Sequence, residues 1–337
     1  MAHKCLITGV TGQTGSYLAA YLLSKGYGVE GTSRNESPNL WRLNYLGVAD
    51  RIIIHAIDAA DPMQISKLAE NRYDKIYHLA AESSVAASLK NPCETVQANL
   101  LQTTAWLSAI RDHSPHTRFF NAASSEVLAA GHGILNENAQ RLAGNPYAVT
   151  KLAAMDMCRV FRDSFDMYVV NGILFNHESE LRDARFVTGK IITNLCRMAA
   201  DYAQPAFELG NVEAERDFSH AEDFARGIAD SLSVEHAQDY VFASGQLYSV
   251  RDFFNSAASQ LGFEPKWSGV GTDAVCVDAK TGRTLVAINS EFYRPVDELG
   301  KAGDAGRAMT DLGWTRANNF ESMIGRMIAY HSAEQNA

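Results

Sequence analysis

Three glycines at three-residue spacing, Gly9, Gly12 and Gly15, constrain this chain more than any other feature. They follow a short apolar run, Lys4–Thr8. They precede Ser16–Lys25, in which Leu18, Ala19, Leu22 and Leu23 recur at helical spacing before Gly26. A strand that enters a glycine turn and leaves as a helix puts the helix amino terminus, with its free N–H groups and positive dipole end, at the turn. Glycines let the backbone turn tightly and approach a pyrophosphate. The spacing is GxxGxxG, and its weight comes from lying between a strand and a helix.

The same alternation continues. Gly28–Ser33, Arg51–Ile57, Ile76–Ala81, Arg118–Ala122 and Tyr168–Phe175 read as strands, and Met63–Asn71, Glu94–Arg111 and Pro146–Phe165 as helices. Continuous apolar strands between helices predict an α/β fold: a Rossmann-like doubly wound parallel sheet, covered on both faces. Beyond Asn176 the pattern loosens. Phe186–Tyr202, Val250–Leu261 and Phe320–Ser332 read as helices and Val241–Ala243 as a strand. This predicts a smaller, mixed α/β carboxyl-terminal lobe for substrate. We place the cofactor domain at 1–175, with a returning segment near 217–246, and the lobe at 176–216 and 247–337.

Composition narrows the function. The 337 residues are 46% hydrophobic and 20% charged, which excludes a disordered chain. Lys plus Arg number 30 against 39 Asp plus Glu, and no basic run offsets the net charge of −9. A nucleic-acid backbone is therefore not the expected partner. Five scattered cysteines without CxxC spacing argue against a disulfide framework or a zinc site and fit a reducing cytoplasm. No stretch of about 20 residues is apolar enough to span a bilayer. A cytoplasmic protein without metal or membrane attachment is expected.

The second strand ends in Thr32-Ser33-Arg34-Asn35. An acid there would hold a ribose 2′-hydroxyl; Arg34 instead favours a 2′-phosphate, hence NADP over NAD, while nearby Glu36 argues the other way. Asp58, after the third strand, is a candidate for the adenine edge. Tyr147 and Lys151 share a helical face at i and i+4, behind Asn145 as cap and Pro146 as first residue. A nearby ammonium is what lets a phenol act as a base. Tyr21 and Lys25 repeat the spacing on the helix after the glycine loop, where we read it as structural. The fifth strand ends in Ala123-Ser124-Ser125-Glu126. Ligands of an open parallel sheet sit beyond the carboxyl ends of its strands. Ser124 can hydrogen-bond a substrate hydroxyl that Tyr147 deprotonates, and Glu126 adds a second acid/base.

These residues, with TGVTGQTGSYL at 8–18, HLAAES at 78–83, Asn99, NPYAVTKL at 145–152, NGILFNHES at 171–179 and LGNVEAERDFSHAED at 209–223, resemble the extended short-chain dehydrogenase/reductases. Within them the chain is similar to the GDP-mannose 4,6-dehydratase family. The resemblance implies that Ser124, Glu126, Tyr147 and Lys151 are catalytic. It implies that Gly9, Thr11, Gly12, Gln13, Gly15, Arg34, Asp58, Ala80, Tyr147 and Lys151 hold NADP, and that Asn176, Lys190, Arg216 and Arg294 hold the nucleotide diphosphate of a GDP-sugar. It implies an internal hydride transfer from C4 to C6 of the sugar, yielding a 4-keto-6-deoxy sugar nucleotide. The alternatives on the same fold are a nucleotide-sugar reductase or epimerase, or an NADP-binding regulator. Relatives pair two helices across a two-fold axis, which implies a homodimer or homotetramer through Glu94–Arg111 (Leu100, Leu101, Trp106, Leu107) and Pro146–Phe165 (Leu152, Met155, Met157, Val160). Departures from the family pattern are Thr14, Asn35, Glu82, Ser84, Val127-Leu128, Glu180, Asp183, Gly189 and Asp297. Several lie beside the expected sugar, which points to a different sugar or nucleotide.

Overall fold

The computed structural model describes residues 3–58, 61–129, 133–293 and 300–335. Seven strands form one sheet: β1 (Lys4–Thr8), β2 (Gly28–Ser33), β3 (Ile53–Ala56), β4 (Lys75–His78), β5 (Arg118–Ser124), β6 (Val169–Leu174) and β7 (Tyr240–Phe242). Their spatial order is β7-β6-β5-β4-β1-β2-β3, with every pairing parallel. The chain order reverses between β1 and β4, so a crevice opens at their carboxyl ends. Strands β4 and β6 are buried along their whole length, their polar residues Lys75, His78 and Asn171 included.

Three apolar clusters hold the molecule together. One face of the sheet packs on α1 (Gln13–Ser24) and on the helix Ala221–Ser231, around Leu18, Tyr77, Phe120, Phe224 and Phe242. The other face packs Ile76 and Phe119 on Trp106, Leu107, Ile110 and Phe161. The third cluster lies in the smaller lobe. There the helices Val187–Ala200, Val250–Gln260 and Phe320–Gln335 cover a four-stranded mixed sheet of Phe207–Leu209, Pro265–Ser268, Val275–Asp278 and Thr284–Ile288. Segment 217–246 supplies Ala221, Phe224, Ile228 and β7 to the large sheet's core.

Several boundaries differ from the sequence reading. The third strand is Ile53–Ala56, because Ala49–Arg51 closes a 3₁₀ turn first. The segment 94–111 is not one regular helix: Pro92–Val96 leads through a π turn, Gln97–Leu101, into Gln102–His113. The spare apolar surface expected on the pairing helices is also smaller than the sequence implied. Trp106, Leu107 and Met155 are buried inside the protomer, in its two sheet-covering clusters. Leu101, Val149 and Val160 do remain exposed, along with Leu89. In the second Tyr-Lys pair the Lys25 ammonium lies 5.2 Å from the centroid of the Tyr21 ring. All five cysteines are free thiols. No helix among the described residues is long and apolar enough to cross a membrane.

Candidate active site

The glycine loop turns at Gly9, whose φ of +70° suits glycine. A Cβ there would lie 3.1 Å from the Ala80 backbone, so Ala80 closes one wall of the cleft. A Cβ on Gly15 would stand 2.5 Å from the Gly9 carbonyl oxygen, which fixes how tightly α1 docks on the loop. Gly12 caps α1 and brings no side chain to its first-turn amides. Those of Gln13, Thr14 and Gly15 have no intrahelical acceptor and suit a pyrophosphate. The Thr8 hydroxyl accepts the N–H groups of Leu79 and Ala80 at 3.1 and 3.0 Å, tying the ends of β1 and β4 at the switch point. This cradle, open to ligand amide bonds and walled where any side chain would intrude, fits a dinucleotide.

The side chain of Gln13 faces away from that role. Its amide donates to the His177 carbonyl at 2.9 Å and its oxygen accepts the Ser179 hydroxyl at 2.7 Å. Gln13 therefore offers a cofactor its backbone amide. Thr14, where the family carries aspartate, donates to Nε2 of His177 at 2.8 Å. Nδ1–H of that ring is donated to the Phe175 carbonyl, and burial pulls the imidazole down to about 4, so it is neutral. A hydroxyl matches a neutral imidazole without needing a counter-charge.

The catalytic candidates converge at the end of β5. Ser124 is 8% exposed, and its hydroxyl accepts the Glu126 N–H at 3.2 Å. The helix Pro146–Phe165 starts as its sequence requires: Asn145 Oδ1 accepts the Ala148 N–H at 2.9 Å and Pro146 is the first residue. The Asn145 amide also donates to the Glu126 carboxylate at 3.4 Å, so the cap orients the candidate base. Tyr147 is 9% exposed. Burial raises its phenol to about 12; the hydrogen bond with Ser124 works against that, and the charges of Glu126 and Glu82 add to it. Lys151 is 5% exposed and donates to the Ala122 carbonyl at 2.8 Å. Burial lowers its ammonium to about 8.

The other predicted residues are spread more widely. Arg34 is exposed at the end of β2. Asp58 is exposed beyond β3, its N–H bonded to Gln64 Oε1 at 2.9 Å. Thr11 lends its carbonyl oxygen to Arg42 at 3.4 Å. Asn176 opens a short strand, Asn176–Glu178, paired in parallel with Phe218–His220. Lys190 sits on the helix Val187–Ala200 with its ammonium 4.8 Å from the Phe292 ring centroid. Arg216 donates to the Glu215 carbonyl at 2.7 Å. Arg294 and Asp297 lie outside the described residues.

Two arginines escaped the sequence reading. Arg42 bridges the glycine loop and the segment after Ser179, donating to the Thr11 carbonyl and, at 2.9 Å, to the Leu181 carbonyl. Arg182 pairs with the buried Glu178 at 2.9 Å, and its charge lowers the Tyr147 phenol. Neither belongs to a spaced motif, so no local signal could mark them. Asn99, known only from the resemblance, is explained by geometry: from the π turn it accepts the Glu82 N–H at 2.8 Å and donates to Thr150 Oγ1 at 3.1 Å. It thereby joins the Ala80–Glu82 loop to the helix of Tyr147.

A hydroxyl, a phenol and a carboxylate thus meet at the mouth of a dinucleotide cradle. With a hydride acceptor held in the cradle, that arrangement suits proton removal from an alcohol being oxidised and transfer of a second proton. Comparison with known proteins bears on the family of the chain. The profile of the family described as GDP-mannose 4,6 dehydratase matches residues 6–327. A GDP-mannose 4,6-dehydratase from Sordaria araneosa is 37% identical over 331 residues, covering 96% of this chain; the chain spans only 60% of that relative's length. The GDP-mannose 4,6-dehydratase of Yersinia enterocolitica is 35% identical over 352 residues, covering 97% of this chain and 93% of its own. Among solved structures, RMD from Pseudomonas aeruginosa complexed with NADPH superposes with a TM-score of 0.78 at 21% identity, covering 99% of this chain and 100% of its own. At that identity the last likeness concerns the fold. The profile match and the identity along almost the entire sequence go further, and by them the chain belongs to the GDP-mannose 4,6-dehydratase family.

Proposed function

We propose that the protein is an NADP-dependent nucleotide-sugar 4,6-dehydratase acting on GDP-mannose or a related GDP-sugar. The observation that carries this reading is Glu126. Its backbone is bonded to Ser124 and its carboxylate to the cap of the Tyr147 helix, so a second acid/base stands beside the alcohol-oxidising pair. A simple reductase has no use for it.

The residues divide the work. The first-turn amides of α1 would hold the cofactor pyrophosphate, Arg34 a 2′-phosphate and Asp58 the adenine edge. Ala80, Tyr147 and Lys151 would flank the nicotinamide half. When bound, the nicotinamide supplies a hydride acceptor that gives the hydride back within the same turnover. Ser124 hydrogen-bonds the sugar 4-hydroxyl and Tyr147 takes its proton. The Tyr147 phenol is held high by burial, so the positive charge of Lys151 on the same helix face is needed to ease its ionisation. Once C4 is a ketone, the C5 proton is acidic. Glu126 removes that proton and returns it to the departing C6 hydroxyl, which leaves as water; a proton taken from solvent is restored to C5 as the hydride comes back to C6. Asn176, Lys190, Arg216 and Arg294, on the smaller lobe 176–216 and 247–337, hold the nucleotide diphosphate. The large domain, 1–175 with 217–246, holds the cofactor.

The exposed Leu89, Leu101, Val149 and Val160 support pairing of two copies as a homodimer, or as half of a homotetramer. The charge, the free thiols and the sequence as a whole fit a cytoplasmic enzyme. The test is direct. The protein is incubated with GDP-mannose and substoichiometric NADP, without added reductant. Stoichiometric loss of water, read by mass spectrometry, is expected. No product from any GDP-sugar under these conditions rejects the reading.

A further inference from the structure

At the end of the sheet opposite the catalytic end, β4 begins at Lys75 and β5 at Arg118. A cavity of about 360 Å³ opens there, with both residues in its wall beside Tyr27, Ser233, His3 and His116. Lys75 is 8% exposed. Its ammonium donates to the hydroxyls of Tyr27 (3.2 Å) and Ser233 (2.8 Å). One guanidinium nitrogen of Arg118 donates to the carbonyls of Leu232 and Val234, at 3.0 and 2.9 Å. Among the described residues neither cation has a carboxylate within ion-pairing distance. Asp74, also in the wall, accepts the Lys4 N–H at 2.7 Å and faces the His3 ring at 3.4 Å. Asp230, whose charge also reaches Lys75, faces the Tyr21 hydroxyl at 3.4 Å.

A buried ammonium held by two hydroxyls and the face of the Tyr27 ring, 5.0 Å from its centroid, with no carboxylate in contact, is costly unless an anion meets it. One N–H of Lys75 and further donors of Arg118 remain, and a guanidinium fork matches phosphate oxygens. We propose that this cavity binds a phosphate dianion, free or as a phosphomonoester, at a site separate from the catalytic cleft. The cavity exceeds the size of an inorganic phosphate, so a small organic remainder fits beside the Tyr27 ring.

The experiment is calorimetric titration of the full chain saturated with NADP, which keeps phosphate off the glycine loop. Ionic strength is matched with KCl. The probes are inorganic phosphate and glycerol 3-phosphate. Binding with a Kd at or below about 1 mM is expected in the unmodified protein. Lys75→Met should weaken it about tenfold or more. His116→Glu adds a repelling charge at the exposed rim without touching the interior, and should weaken it similarly. Tighter binding of glycerol 3-phosphate makes a monoester the occupant; tighter binding of phosphate makes it the free ion. Absence of heat with both probes overturns the proposal. So does an affinity unchanged in His116→Glu, whatever Lys75→Met does to folding.

Discussion

Lys151→Met should make the protein more stable while it abolishes turnover, and the gain should depend on pH in a defined way. The ammonium is 5% exposed and burial lowers it from an ordinary 10.5 to about 8. Below pH 8 the lysine is charged in both states and the folded state bears the whole burial penalty. Between pH 8 and 10.5 the unfolded chain keeps its proton and the folded protein has lost it, so stability rises with pH. Two and a half units at 1.36 kcal/mol each put the penalty at about 3 kcal/mol. Methionine keeps the apolar stem and removes the charge. It also leaves the Ala122 carbonyl without its 2.8 Å donor, which costs about 1–2 kcal/mol. The variant should therefore be about 1–2 kcal/mol more stable at pH 7, and its advantage should vanish and reverse as pH approaches 10. Urea unfolding of both proteins at pH 7, 8, 9 and 10 measures this, because other titrating groups cancel in the difference. A difference that stays constant across that range would refute the reasoning, and Lys151 would not be a charge held in the interior for catalysis.

Other outcomes follow from the same geometry. Glu126→Gln keeps the bond pattern with Asn145 and loses the base, so oxidation at C4 should survive while elimination stalls. Single-turnover mass spectrometry in D₂O should then show a 6-hydroxylated 4-keto sugar with little deuterium at C5; full conversion would move the base elsewhere, with Glu82 next in line. Tyr147→Phe should lower turnover by roughly 10²-fold or more with cofactor binding intact in a fluorescence titration. Arg34→Ala should narrow a preference for NADP over NAD, and equal affinities in the unmodified protein would remove Arg34 from the cofactor site. Gly15→Ala forces a Cβ to 2.5 Å from the Gly9 carbonyl, so the loop must shift; thermal unfolding should show a loss of about 1–3 kcal/mol, together with weaker cofactor binding.

Much of this protein was legible from local pattern. Strand β1, the glycine turn, α1 and the helix 146–165 depend on neighbours in sequence: apolar runs, positive-φ glycine, an Asn cap and a Pro at the first helical position. Such signals act over a few residues and need no partner. Ser124, Tyr147 and Lys151 stood out as candidates for the same reason, since strand ends and i, i+4 faces are set by local geometry. The resemblance supplied Asn99 and the candidate phosphate ligands, which no periodicity marks.

Only the tertiary structure decided the rest. Trp106, Leu107 and Met155 look like spare surface in a list of residues and prove to be core, because which helix face is covered depends on what packs across it. The strands of the smaller lobe's four-stranded sheet are three to five residues long, too short for a clear period-2 pattern, and they exist through pairing with one another. Thr14 reads as a lost aspartate until His177, 163 residues away, shows what it bonds. The glycine loop was determined by the sequence because steric limits on one residue's backbone suffice. The charges that surround Tyr147, from Glu82, Glu126 and Arg182, were decided by the fold, because electrostatics acts through space and the chain does not record which of its ends will meet.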